Sequence, residues 1–247
     1  LVAQSIEEGK MFEGETWKKL VKNVKDNGST LHFIGLLSDG NVHSHINNLK
    51  AMVVEAKKEG VKKVRVHALL DGRDVGEMSA LDYFDPFAQF LAELSSDGSF
   101  DAKIASGGGR MVITMDRYNA NWDMVKKGWE THVLGEGRTF ASAHEAIETL
   151  RKETGAIDQD LPPFLIAENG KPVGTIEDGD SVIFYNFRGD RAIEISRAFD
   201  DPNLDKFDRV RYPKVVYAGM LEYDGDQHIP KKYLVNPPEI TETMGEY

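Results

Sequence analysis

Cysteine is missing from all 247 residues. Its absence excludes disulfides, thiolate zinc sites, iron–sulfur clusters and cysteine nucleophiles. A chain of this length, one or two domains, buries a core without such staples. Long hydrophobic runs are also lacking: nothing approaches the ~18 residues of a membrane span. The opening LVAQSIEEGK has no basic stretch leading into an apolar one and is not expected to be a signal peptide. It also lacks an initiator Met and reads as a processed or cut end. A reducing, cytoplasmic setting is the expectation. Positive charge is scarce, with 30 Lys and Arg against 41 Asp and Glu and a net charge of −11. That excess argues against nucleic acid or an anionic membrane as partner. An anionic ligand would need the few cations to be concentrated at one place. There is no Lys-Ser/Thr phosphate loop, no dinucleotide fingerprint and no G-x-S-x-G elbow. Low-complexity segments and internal repeats are absent too.

What is present is an alternation of short apolar runs and amphipathic stretches. Residues 1–30 are predicted helical, with Trp17, Leu20, Val21 and Val24 at helical spacing before Asn27-Gly28. Leu31–Leu37, Val64–Leu70, the short Lys103–Ala105, Ser181–Phe187 and Val215–Leu221 read as strands. Helices are expected over about 44–59, 79–94, 122–133, 142–152 and 192–199. Ser142 with Glu145 forms a capping box. Asn169-Gly170 inside Phe164–Ile176 signals a hairpin. The tail, with Pro230, Pro237 and Pro238, reads as extended. The pattern predicts an α/β fold: a three-layer αβα domain with a mostly parallel mixed sheet, an inserted β-hairpin and linker segments at both ends.

Ligands of open α/β sheets bind beyond the carboxyl ends of the strands. Those positions hold Asp39 and His43, then Arg73 and Asp74, then Arg110, then Arg188 and Arg191. Arginine is planar, permanently charged and bidentate toward carboxylate and phosphate. Its recurrence at equivalent strand ends predicts a site for a small polyanion. Gly107–Gly109 could add backbone N–H groups to it. Each piece also has a structural reading, as a solvated arginine, a local ion pair or a glycine turn. Asp74 is the candidate general base, and equally a turn carboxylate. His43 is expected near the anion rather than as a metal ligand with His45. His67 reads as a core or interface histidine. His32, His132, His144 and His228 have no company that suggests chemistry.

The segments GLLSDGNVHSH, RVHALLDGRDV, IASGGGRMVITMDRYNANWD, FYNFRGDRA and VNPPEI carry a resemblance across the whole chain. They resemble cofactor-independent (2,3-bisphosphoglycerate-independent) phosphoglycerate mutase, and GRMVITMDRYNANWD and LPPF look like its plant and trypanosomatid branch. The resemblance implies an isomerase of glycolysis and gluconeogenesis that interconverts 3-phosphoglycerate and 2-phosphoglycerate. It implies a phosphatase domain similar to alkaline phosphatase, with a serine nucleophile and two divalent metals (Mn, Mg or Co). It also implies an inserted transferase domain that holds the glycerate. This chain looks like the latter: 1–30 as a segment toward the phosphatase domain, 31–221 as the transferase domain, 222–247 as the return linker. The GNAEVGHN serine motif and the metal ligands are not in it, so the chain is expected to bind no metal and to be inactive alone. Carried over by motif, His43, Arg73, Asp74, Arg110, Arg117, Arg188 and Arg191 bind substrate, and Asp74 is the acid–base residue. The Arg110–Arg117 spacing is one residue longer than in common bacterial members, and Asn41 replaces a frequent glycine. The alternatives are a non-catalytic anion-binding or regulatory domain and a sugar-phosphate phosphatase.

Overall fold

The computed structural model describes residues 1–236, so Pro237 and Pro238 lie outside the described residues. The chain opens with three helices, α1 (Val2–Glu7), α2 (Lys10–Glu13) and α3 (Glu15–Asn27). Gly28, at φ +59°, ends α3, a backbone turn that glycine takes without steric cost. Then follow β1 (Thr30–Leu36), α4 (Ile46–Lys58), β2 (Lys63–Leu70), α5 (Ala80–Leu94) and β3 (Asp101–Gly109). Next come α6 (Trp122–Gly128), a π-helix (Trp129–Leu134), β4 (Thr139–Phe140) and α7 (Ala143–Thr154). The chain continues through β5 (Phe164–Glu168), β6 (Lys171–Pro172) and β7 (Ser181–Phe184) to α8 (Ile193–Asp200) and β8 (Val216–Gly219).

The strands form one sheet in the order β4-β5-β3-β2-β1-β7-β8, with β6 paired to β5. The β3-β2-β1-β7-β8 portion is parallel, whereas β5 runs antiparallel to β3, so the sheet is mixed as expected. The hairpin also forms: Glu168 pairs with Lys171 across Asn169 and Gly170, both at positive φ. The Ser142 hydroxyl accepts the Glu145 N–H at 3.1 Å, closing the cap of α7.

One large core packs Trp17 and Leu20 of α3, Leu49 and Met52 of α4, Phe84 and Phe87 of α5 and Ile147 of α7 against one sheet face. The other face is covered by Val125 of α6, Trp129 and Val133 of the π-helix, and Ile195 and Phe199 of α8. These are the three layers. Helix α3 lies against β1, β7 and β8, so residues 15–27 are part of a layer. No helix among the described residues is long and apolar enough to cross a membrane.

Two expectations need correction. The third strand is not the short Lys103–Ala105 but runs nine residues, through Gly109. A Cβ at Gly107 would sit 2.6 Å from the Ala68 carbonyl oxygen, and one at Gly109 would collide with the Gln159 backbone. The glycines permit a strand there by leaving room for its neighbours. The single helix over 122–133 is instead α6 running into a π-helix.

Candidate active site

β1 is the strand where the order reverses: β2 and β3 continue to one side of it and β7 and β8 to the other. The crevice beyond such a switch point is the usual ligand site of open α/β sheets. The strands place their loops there in register, since Leu36 pairs with Leu69, Leu70 with Gly109 and Ile34 with Phe184. His43 follows β1, Arg73 and Asp74 follow β2, Arg110 follows β3, and Arg188 and Arg191 follow β7. Leu36, Leu69, Ile113 and Met115 form a small apolar floor.

Asp71 organises the β2 side and was not singled out from sequence. Its carboxylate is buried and accepts the Ser38 hydroxyl at 2.5 Å and Arg110 Nη1 at 2.9 Å. It also accepts the backbone N–H groups of Arg73 at 3.1 Å and Asp74 at 2.9 Å. That is an Asx turn, which aims the two following side chains. Its signal was in the sequence, as the first residue of DGRD. Asp74 gives one oxygen to Arg110 Nη1 at 2.7 Å, and its other oxygen has no hydrogen-bond partner among the described residues. Arg110 is therefore a buried, paired cation, not a free fork, although its Nε has no partner.

On the β7 side, Arg191 is nearly buried at the end of a short 3₁₀ turn (Gly189–Arg191) and donates to the Met115 carbonyl at 2.8 Å. Burial lowers the pKa of its guanidinium, and the nearby Arg117, Arg110 and Arg73 lower it further, with Asp190 opposing. Arg188 and Arg117 are about half exposed and share Asp190, at 3.2 Å and 4.0 Å. His43 is 3% exposed, and its Nδ1 has no partner. Burial pushes its pKa down to about 4; Arg110 and Arg188 add to the shift, and Asp190 and Asp74 oppose it. The imidazole is neutral at pH 7. The structure thus brings His43, Arg73, Asp74, Arg110, Arg117, Arg188 and Arg191 within electrostatic reach of one another. Five arginines face three carboxylates, Asp71, Asp74 and Asp190, in a chain that is acidic overall.

The glycine triplet is not a phosphate cradle. Gly107–Gly109 pair with Ala68–Leu70 of β2, and the Gly109 N–H donates to the Leu161 carbonyl at 2.8 Å. Asp39 is likewise turned outward, where it accepts the Tyr83 hydroxyl. His45 caps α4 by accepting the Asn47 N–H at 3.0 Å. His32 and His132, set aside on sequence grounds, lie in a buried polar line with His67. Among the described residues no group of three or more His, Asp or Glu is arranged to hold a metal ion. A groove of about 480 Å³ lies away from the arginines, between α5, β3 and α7.

The family described as BPG-independent PGAM N-terminus matches residues 2–225. A Leptospira interrogans protein named "Probable 2,3-bisphosphoglycerate-independent phosphoglycerate mutase" is 60% identical over 248 residues, covering 100% of this chain and 45% of that protein. The 2,3-bisphosphoglycerate-independent phosphoglycerate mutase of Trypanosoma brucei brucei is 52% identical, with the same coverage of each chain. A crystal structure of Leishmania mexicana phosphoglycerate mutase at low cobalt concentration superposes with a TM-score of 0.95 at 51% identity, covering 98% of this chain and 44% of that one. The chain thus spans about half the length of the relatives it matches, 45% of the trypanosomatid one and 50% of a plant one from Prunus dulcis. By sequence and by fold, this chain belongs to the N-terminal family of BPG-independent phosphoglycerate mutases.

Proposed function

We propose that this chain is the substrate-holding part of a phosphoglycerate mutase that interconverts 3-phosphoglycerate and 2-phosphoglycerate in the cytoplasm. The observation that carries the reading is the convergence of five arginines and a neutral, buried His43 at one switch-point crevice. A phosphoglycerate presents a carboxylate and a phosphate a few bonds apart, which suits several planar cations at different strand ends. Arg188 and Arg117 are the accessible forks, and Asp190 holds both near the crevice. Arg191 is fixed from behind by the Met115 carbonyl. Asp74, with one oxygen on Arg110 and one free, is placed to take and return a hydroxyl proton of the glycerate.

The phosphoryl transfer itself belongs to a serine and a pair of divalent metals in a phosphatase domain, which we assign to the same polypeptide beyond this chain. The described residues offer no metal cage, and no step here runs through a metal. While the serine holds the phosphoryl group, the arginines keep glycerate bound so that either hydroxyl can receive it back. Motion between the two domains would admit substrate and exclude water. The hinge on the N-terminal side is expected within the segment of residues 1–30.

Two measurements on this chain test the reading. A calorimetric titration is expected to show 3-phosphoglycerate binding at 1:1, more tightly than inorganic phosphate or glycerate alone. A coupled enolase assay is expected to show no turnover. Equal affinity for the three anions contradicts the substrate assignment, and robust turnover contradicts the division of labour.

A further inference from the structure

The sheet face beneath α6, the π-helix and α8 carries a continuous line of buried polar side chains beside Arg65. Asp180, just before β7, meets His32 Nε2 on β1 at 2.9 Å. His32 Nδ1 meets His67 Nε2 on β2 at 2.9 Å. His67 Nδ1 meets the Ser106 hydroxyl on β3 at 2.7 Å. That hydroxyl meets His132 Nδ1 on the π-helix at 2.7 Å, and His132 Nε2 meets the Thr114 hydroxyl at 2.9 Å. All six side chains are buried.

The chemistry of the groups fixes the direction of each bond. Asp180 accepts the backbone N–H groups of Thr30 and Glu177 and, as a carboxylate, can only accept from His32. Burial lowers the pKa of all three imidazoles, that of His132 to about 3, so each is neutral and carries one N–H. Arg65 on β2 lowers His32 and His67 further, while Asp180 and, weakly, Glu177 oppose the shift at His32. His32 then protonates at Nε2 and accepts at Nδ1 from His67 Nε2–H. His67 accepts from the Ser106 hydroxyl, Ser106 accepts from His132 Nδ1–H, and His132 accepts from the Thr114 hydroxyl. Every donor points toward Asp180, and no ring nitrogen is left over.

The far end of the line is strained. Thr114 has φ +71°, a region that a β-branched residue occupies only when its surroundings enforce it. Its N–H donates to the Met124 carbonyl, and Gly128 has no side chain to push it away. The π-helix places His132 over its hydroxyl. The carbonyl of the next residue, Met115, is the acceptor of Arg191, and Arg117 follows two residues later.

We propose that the line Asp180–His32–His67–Ser106–His132–Thr114 is a positioning device of the anion site, holding Thr114 in its strained conformation so that Met115 anchors Arg191 and Arg117 faces the crevice. The residues in it touch no substrate. The link to phosphoglycerate affinity rests on the function proposed above; the tautomers and the loop geometry do not.

The test pairs NMR with two substitutions at the far end. In the ¹⁵N-histidine-labelled chain at pH 7, His32 and His67 are expected as Nε2–H tautomers and His132 as Nδ1–H. Any other tautomer, or an imidazolium, overturns the direction. Thr114→Val keeps the shape and removes the hydroxyl; Thr114→Ser keeps the hydroxyl. Thr114→Val is expected to shift the Met115–Arg117 amide resonances and to weaken 3-phosphoglycerate at least five-fold, with Thr114→Ser within two-fold of the parent. A Thr114→Val chain with unmoved resonances and parental affinity overturns the proposal. If Thr114→Val does not fold, Ser106→Ala is read against the same two outcomes. Arg191→Ala serves as the control: if it leaves affinity unchanged, the phosphoglycerate reading fails while the tautomers and amide shifts still judge the line.

Discussion

The Asp71 carboxylate is almost out of contact with water and accepts four hydrogen bonds, one of them from the equally buried Arg110. Removing Asp71 leaves Arg110 with Asp74 alone and takes the acceptor from three further donors, at about 1–3 kcal/mol for each that stays buried and unpaired. Asp71→Ala is therefore expected to lower the unfolding free energy by that order in urea denaturation, and Asp71→Asn by clearly less, because an amide oxygen still accepts. A loss under about 1 kcal/mol for the alanine variant would contradict the organising role given to Asp71. Arg73, Arg110, Arg188 and Arg191 could be placed at strand ends from the α/β pattern alone, whereas Arg117 came only from the family resemblance. Their pairing was not legible in the sequence. That Arg110 is held by two carboxylates, while Arg188 and Arg117 share one, depends on contacts across loops 36–39 and 73 residues apart.

Among the elements, those with local causes were readable. The α7 cap rests on Ser142 and Glu145, and the hairpin on Asn169-Gly170. The long β3 and the π-helix were not. Glycine has low strand propensity, and its tolerance at 107–109 comes from neighbours on β2, on Phe164 and on Gln159. The histidine line is also non-local, with partners 26, 35 and 148 residues apart. It has a pH signature. A histidine whose folded pKa lies below its unfolded 6.5 makes the unfolded state bind more protons as pH falls. Stability is full above about 6.5 and declines on acidification. For His132 the decline continues to about pH 3, at about 1.4 kcal/mol per pH unit. His32 and His67 act in the same direction, and His43 does so down to about 4. His132→Gln is expected to reduce the proton uptake on unfolding between pH 4 and 6 by about one. An unchanged uptake would mean that His132 is not buried in its neutral form.

At the scale of the molecule, the net charge of −11 and the anion site are compatible because the cations are placed, not numerous. Five arginines follow the carboxyl ends of three parallel strands, β2, β3 and β7, and His43 follows β1 between them. Folding thus turns an unfavourable average into a favourable local field. With the second half of the site assigned to another domain, affinity for the substrate in this chain alone is expected to be weak. The central claim is that these arginines hold a phosphoglycerate. Its most direct test is a calorimetric titration of the chain with 3-phosphoglycerate, repeated with Arg188→Ala and Arg191→Ala. We predict measurable binding by the parent and at least a ten-fold loss in each variant, about 1.4 kcal/mol or more. The same affinity in all three proteins would contradict the claim.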